Sequence, residues 1–148
     1  MKNLTKTFAI AALLFVSSVN VFAAEIKDDK KILNKAVAEN IVDEYINSTV
    51  KGNTLFIDEI FDNDFTHKVN AGNKHQAVKK AAYLKFLKEN KGSEYNCNVN
   101  YDFVEKNANY SLARVTLDFG KFKRVDYVSM HMDQGQWKID EVNSVYPR

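Results

Sequence analysis

The residues that could do chemistry in this sequence are few and scattered. His67, His75 and His131 are isolated from one another, so no His-x-x-x-His pair or other short metal-ligand spacing is present. There is no Gly-rich phosphate loop and no Gly-x-Ser-x-Gly elbow. Neither a metal nor a cofactor is therefore expected. What remains is acid–base chemistry: a carboxylate drawn into an apolar pocket beside an imidazole is lifted toward a neutral pKa, because burial penalises its charged form. Strand parity selects the candidates. Asp126 shares the parity of Val128, Met130 and Met132, whereas Tyr127 and His131 point the other way, so Asp126 and His131 meet only across a bulge. Glu141 and Asn143 share the parity of Trp137 and Ile139, and His67 that of Phe65 and Val69. The candidate acid–base residues are thus Asp126, Glu141 and His67, with Tyr45, Tyr101 and Asn143 as further polar lining. Each acid–base candidate also has a plainer reading, which is favoured. Asp126 is then a sheet-end acid bonded to backbone or to Arg124, Glu141 an exposed strand-end acid, and His67 a solvated edge histidine.

A C-terminal meander must position these side chains. Ala113, Val115, Leu117 and Phe119 alternate with Arg114, Thr116 and Asp118, the period of a half-buried strand. Gly120 ends that run, and Val128, Met130 and Met132 define the next. Residues 133–136 form a hairpin turn with Gly135 free to take positive φ, and Trp137, Ile139 and Val145 carry the last strand. Before the meander, residues 94–105 read as a strand with Val99, Tyr101 and Phe103 on one face and Cys97 on the same parity. Upstream, Leu33, Val37, Ile41 and Tyr45 recur every fourth residue and predict a helix over 30–51, stopped by Gly52. A short helix follows, capped by Asn53 or Thr54, with Leu55, Phe56, Ile60 and Phe61 buried. Residues 62–64 read as a turn, 65–69 as a short strand and 70–73 as a loop. A third helix is predicted over 74–90, burying Val78, Ala81, Leu84 and Leu87 and turning Lys79, Lys80, Lys85 and Lys88 to water.

Helices segregated to one face of an antiparallel sheet make an α+β domain. Three short motifs in the meander are Ala-x-Val-x-Leu from Ala113, Val-Asp-Tyr-Val-x-Met from Val125 and Gly-x-Trp-Lys-Ile from Gly135. They resemble the C-terminal half of the nuclear transport factor 2-like superfamily, and most nearly its small bacterial branch described as "putative lumazine-binding", akin to the polyketide-cyclase-like proteins. The resemblance extends in element order over residues 24–148. It implies a curved, cone-shaped antiparallel sheet with three N-terminal helices packed over its concave face and a pocket between them. Dehydratases, isomerases and cyclases of that superfamily use an Asp or His in an apolar cone to remove a proton next to a carbonyl, and Asp126 matches a recurring family position. The resemblance also implies homodimers through the sheet, which would suit Leu112, Val104 and Tyr127 on the outer parity, with His131 on that face.

Composition limits the partners. With 45% hydrophobic and 27% charged residues, 148 residues suit one ordinary domain. Residues 1–23 read as a secretory leader: Lys2 and Lys6 form the positive start, and residues 8–16 an apolar run too short to span a bilayer. Removing Lys2 and Lys6 from 21 basic residues leaves 19 against 19 acidic ones, so neither nucleic acid nor an anionic membrane is an expected partner. No Cys directly follows the apolar run, so a lipoprotein anchor is not expected, and a bacterial exported protein, periplasmic or secreted, is. Cys97 is the only cysteine, so no internal disulfide can form, and it reads as a small core residue rather than a reactive thiol. Three functions stay open. The favoured one is a non-catalytic domain that holds a small hydrophobic or aromatic ligand among Tyr101, Phe103, Met130 and Trp137. The others are a cofactor-free acid–base enzyme and a sheet-mediated dimeric interaction module.

Overall fold

The computed structural model describes residues 32–147. The expected leader lies outside the described residues. The elements run α1 (Ala38–Val50), α2 (Ile57–Ile60), β1 (Phe61–Ala71), β2 (Lys74–Lys79), α3 (Lys80–Glu89), β3 (Asn98–Lys106), β4 (Tyr110–Asp118), β5 (Lys123–Asp133) and β6 (Gln136–Val145). The six strands form one sheet in the order β2-β1-β6-β5-β4-β3. The α+β class with helices at one side of a curved, unclosed sheet is what the residues build. One pairing departs from the antiparallel expectation: β1 lies parallel to β6, while all the others are antiparallel.

The meander forms as its alternation dictates. Ala113, Val115 and Leu117 of β4 and Val128 and Met130 of β5 are fully buried beneath the helices. From α1 they meet Ala38, Ile41, Val42 and Tyr45, which recur at three- and four-residue spacing and so share one helix face. The aromatic centre is tight: Phe61 packs on Phe65 at 4.6 Å and edge-on against Tyr83 at 5.3 Å between ring centroids. The opposite face carries the half-buried Leu112 and Tyr127 among the ion pairs Arg114–Asp102 and Lys68–Glu141. Val104 is the extra residue where β3 slips against β4, and it is exposed.

Several elements differ from the sequence expectation, each for a local reason. Helix α1 begins at Ala38 because residues 34–36 are engaged elsewhere. Asn34 Oδ1 accepts the Ala36 N–H, and the Lys35 carbonyl accepts the Trp137 N–H at 2.8 Å, tying this segment to β6. Helix α2 is one turn long, and Leu55 is exposed. Residues 62–64 belong to β1 rather than a turn, inside a stretch where β1 slips against β6 between Phe61 and Thr66. The expected third helix is split: residues 74–79 are an edge strand, and only Lys80–Glu89 are helical. Gly72, at φ 59°, opens a two-residue hairpin loop that pairs Ala71 with Lys74. Val78 and Ala81 are exposed, and Tyr83 takes their place in the core beside Leu84 and Leu87. Strand β3 starts at Asn98, so Cys97 precedes it and is half-buried.

One glycine is needed for close approach. Gly52 ends α1 at φ 63°, and its carbonyl accepts the Gly92 N–H at 2.9 Å. A Cβ there would lie 2.6 Å from Gly92 N and 2.7 Å from Ser93 N, backbone atoms with no room to retreat. Gly120, at φ 80°, faces open space. Gly52→Ala is therefore expected to cost about 3 kcal/mol or more, strain and clash together, and Gly120→Ala only about 1 kcal/mol. Urea unfolding of both variants checks this; equal losses would refute the close approach.

Candidate functional site

The buried polar centre of the protein is Asp126. Its side chain is 0% exposed and accepts hydrogen bonds from three residues on three elements or strand positions. Tyr45, from α1, donates its hydroxyl to Oδ2 at 2.9 Å. Arg124, two residues back on the same face of β5, donates Nε and Nη2 to Oδ2 at 3.2 and 2.8 Å. Ser144, the register partner of Asp126 on β6, donates to Oδ1 at 2.5 Å. His67 of β1 completes the group with Nε2 at 2.9 Å from Ser144 Oγ. Its ring packs on Tyr83 of α3 at 4.8 Å between centroids.

Burial and the ion pair set the protonation states. Burial first, and the Asp126 charge second, push the Tyr45 phenol well above its ordinary range. Tyr83 is raised for the same two reasons. Burial works to lower Arg124, but the Asp126 carboxylate together with Tyr45 and Tyr83 more than offsets it and holds the guanidinium above its usual value. His67 is lowered by burial, with Asp126 pulling it partly back and Arg124 reinforcing the shift.

Beside this network is a pocket of about 260 Å³. Thr49, His67, Tyr83 and Arg124 line its polar depth, and Phe86, Leu87, Tyr95 and Tyr146 its apolar side. The aromatic rim continues outward. Tyr95 meets Phe119 edge-on, Phe119 stacks on Phe122 at 4.6 Å, and Phe122 leans on Tyr146. Phe86, Tyr95, Phe122 and Tyr146 are all exposed, and three of these rings, Phe86, Tyr95 and Tyr146, line the pocket. A larger groove of about 500 Å³ beside Asn63, Asp64, Lys79 and Lys80 is more open and touches none of the buried network. Among the described residues no three His, Cys, Asp or Glu side chains are grouped to share a metal ion, and no helix is long and apolar enough to cross a membrane.

The structure joins some sequence candidates and separates others. Asp126, His67 and Tyr45 meet in one network. Glu141 and Asn143 do not reach it, which corrects their assigned parity. Asp140 is an extra residue in β6, opposite the step from Ser129 to Met130, and this bulge reverses the faces beyond it. Val142 and Ser144 turn inward instead, while Glu141 pairs with Lys68 at 2.5 Å and Asn143 accepts from Asn70 at 2.6 Å. Tyr101, Phe103, Met130 and Trp137 are not among the residues lining the pocket of about 260 Å³. Met130 and Trp137 are core residues; Phe103 packs edge-on against Tyr101 with the Lys106 ammonium over its ring. Tyr101 borders a separate groove with Asp43 and Cys97, where burial and then the Asp43 charge raise its phenol. His131 lies between Asp62 and Asp140, at 3.7 and 3.8 Å. Sequence reasoning missed Ser144, hidden by the bulge, and Thr49, Tyr83, Phe86, Leu87, Tyr95 and Tyr146. The Arg124-x-Asp126 spacing on one strand face was the legible signal for the ion pair.

The arrangement limits the chemistry. Ser144 is 1% exposed and spends its proton on Asp126, so it is not presented as a nucleophile. The Asp126 carboxylate is occupied by Tyr45, Arg124 and Ser144, and taking up another proton would disrupt an ion pair.

Comparison with known proteins points one way. A family model described as "Putative lumazine-binding" matches residues 33–147. Among solved structures, a nuclear transport factor 2-like protein of unknown function from Silicibacter pomeroyi DSS-3 superposes with a TM-score of 0.62 at 13% identity, covering 74% of this chain and 92% of that one. A second such protein, from Shewanella baltica OS155, gives 0.58 at 14% identity over 76% and 92%. An uncharacterised protein with a cystatin-like fold from Caulobacter vibrioides gives 0.57 at 13% identity over 74% and 87%. These likenesses establish the fold. No curated protein matches the chain.

Asp126→Asn leaves the largely buried Arg124 without its counter-charge and is expected to cost about 3–5 kcal/mol, against about 1 kcal/mol for Tyr45→Phe. Urea denaturation of the two variants distinguishes them. His67 gives a pH signature. Its folded pKa lies below the unfolded value of about 6.5, so the unfolded chain takes up the proton first. The His67 contribution is thus complete above about pH 6.5 and is lost as pH falls through the lowered folded pKa. In His67→Gln, the decline of Tm below about pH 6.5 should be shallower than in the parent protein; an unchanged slope would contradict the shift.

Proposed function

The chain belongs to the family described as "Putative lumazine-binding", and we propose that it is an exported, non-catalytic domain that holds one small planar aromatic ligand. The observation that carries this reading is the pocket of about 260 Å³ whose depth is polar and whose mouth is ringed by Phe86, Tyr95 and Tyr146. Flat rings offer stacking area at little entropic cost, and the few polar groups below them orient what enters. The occupied Asp126 carboxylate and the inaccessible Ser144 hydroxyl favour holding a ligand over acid–base turnover. The leader read from residues 1–23 supports export.

Native mass spectrometry of the protein, taken directly from cells that export it, tests the reading. The expected result is a co-purifying molecule that leaves on mild activation; in titration calorimetry, lumazine should bind the emptied protein in a one-to-one ratio. Tyr95→Ala and Tyr146→Ala, at exposed positions that the core does not need, should each weaken lumazine by about 1 kcal/mol with little change in Tm. Unchanged affinity in both variants would refute the assigned mouth.

A further inference from the structure

Resting on that ligand-pocket reading, we propose that His67 makes the site a proton-gated receptor for an aromatic anion. In mild acid the imidazole takes up a proton, the pocket gains one positive charge, and a planar aromatic ligand bearing a carboxylate or sulfonate is held. Near neutral pH that charge is absent and the anion is released.

Counting the charges around His67 leads there. From β5, Arg124 lines the pocket and turns Nε and Nη2 to Asp126 Oδ2 at 3.2 and 2.8 Å. These two charges offset each other, so a ligand anion finds no free counter-charge beside them. The other elements packed on the ring bring none. From α3, Tyr83 meets it at 4.8 Å between centroids, and from β6 comes the Ser144 hydroxyl. From α1, Thr49 lines the pocket and Tyr45 is bonded to Asp126. On β2 the register partner is Val78, and the Lys79 ammonium beyond it is turned to the Thr66 hydroxyl at 2.9 Å. Lys68 and Glu141 pair with each other on the opposite face. Among the residues lining the pocket, His67 alone is of a type that gains a charge between about pH 5 and 8.

The network admits that proton without rearranging. Ser144 Oγ carries one hydrogen and stands 2.5 Å from Asp126 Oδ1. A carboxylate paired with a guanidinium only accepts, so that hydrogen is spent there. The same Oγ lies 2.9 Å from His67 Nε2 and can only accept from it, so the neutral ring carries its hydrogen on Nε2. Nδ1 is left as the place for a second proton, and no described residue hydrogen-bonds to it. Protonation there breaks none of the contacts among Ser144, Asp126, Tyr45 and Arg124. The serine also stands between imidazole and carboxylate, so the two form no direct ion pair. Burial, opposed in part by Asp126 and reinforced by Arg124, keeps the ring of the empty site neutral at pH 7. An anion in the pocket supplies the missing counter-charge, so its binding and the protonation of His67 favour each other.

Calorimetry on the protein after ligand removal tests this with naphthalene-2-sulfonate, an anion at every pH used, and 2-naphthol, uncharged throughout. Between about pH 8 and about pH 5.5 the sulfonate should tighten about tenfold and 2-naphthol less than about twofold. In His67→Gln the tightening of the sulfonate should disappear, whereas His131→Gln, outside the pocket lining, should retain it. Should His67→Gln not fold, the His67 imidazole of the unaltered protein is titrated by NMR instead. Saturating sulfonate should raise its midpoint by about one pH unit, the same tenfold read from the proton's side. Sulfonate affinity that does not change with pH, an equal change for 2-naphthol, tightening that survives in folded His67→Gln, or an unmoved His67 midpoint would each overturn the gate and leave the ligand pocket standing. Failure of both probes to bind at either pH would overturn the pocket reading and this inference with it.

Discussion

A buried negative charge organises this protein. Placing Asp126 out of water would be prohibitive without compensation, since an unpaired carboxylate in an apolar interior costs many times a domain's net stability. Arg124 supplies the counter-charge from the same strand face, and Tyr45 and Ser144 supply further donors from α1 and β6. The consequence is geometric. The phenol of Tyr45 can reach Oδ2 only if α1 crosses the sheet at one position, so the charge fixes where the helix lies and how deep the adjoining pocket is. Apolar packing of Ile41 and Val42 would tolerate sliding; a four-point hydrogen-bonded charge does not.

Around that charge, two irregularities in the sheet determine what the pocket contains. The bulge at Asp140 lets one strand keep Trp137 and Ile139 in the core and still deliver Ser144 to Asp126. Phe61, Phe65 and His67 of β1 share one parity, and the slip against β6 between Phe61 and Thr66 sets His67 in register with Val142, two residues from Ser144. In a regular β6, Ser144 would face away from Trp137 and Ile139 and could not meet Asp126. Irregular strand geometry here serves to place polar groups beneath an aromatic mouth.

Much of the fold was legible because burial writes its period into the chain. The alternation in β4 and β5 is clear and contains Asp126, while His67 follows the parity of Phe65 and Val69 on β1 and Tyr45 falls on the four-residue stripe of α1. The failures have physical causes. Strand β2 is exposed along its whole length, so it carries no apolar alternation, and Val78 instead joins the helical stripe that continues into α3. Glu141 and Asn143 were misplaced because one inserted residue reverses parity without leaving a mark in composition. The mouth residues Tyr95 and Tyr146 lie outside regular elements, where no period can point to them. Ser144 looked unremarkable as a residue type; only its cross-strand partner gives it a role.

The parallel pairing of β1 with β6 has a consequence for when the molecule becomes itself. β1 can form its hairpin with the neighbouring β2 at once, but its other edge must wait for the last strand. His67 and Ser144 are 77 residues apart in the chain, and Tyr45 and Asp126 are 81 apart. Closing loops of that length is entropically slow and is repaid only once both ends are in place. An N-terminal fragment holds the histidine and tyrosine with no acid or serine to meet them. The contacts of Ser144 with Asp126 and His67 therefore arrive late, as the final strand docks, and a chain lacking that strand keeps Tyr45, Arg124 and Asp126 with no serine to link them to His67.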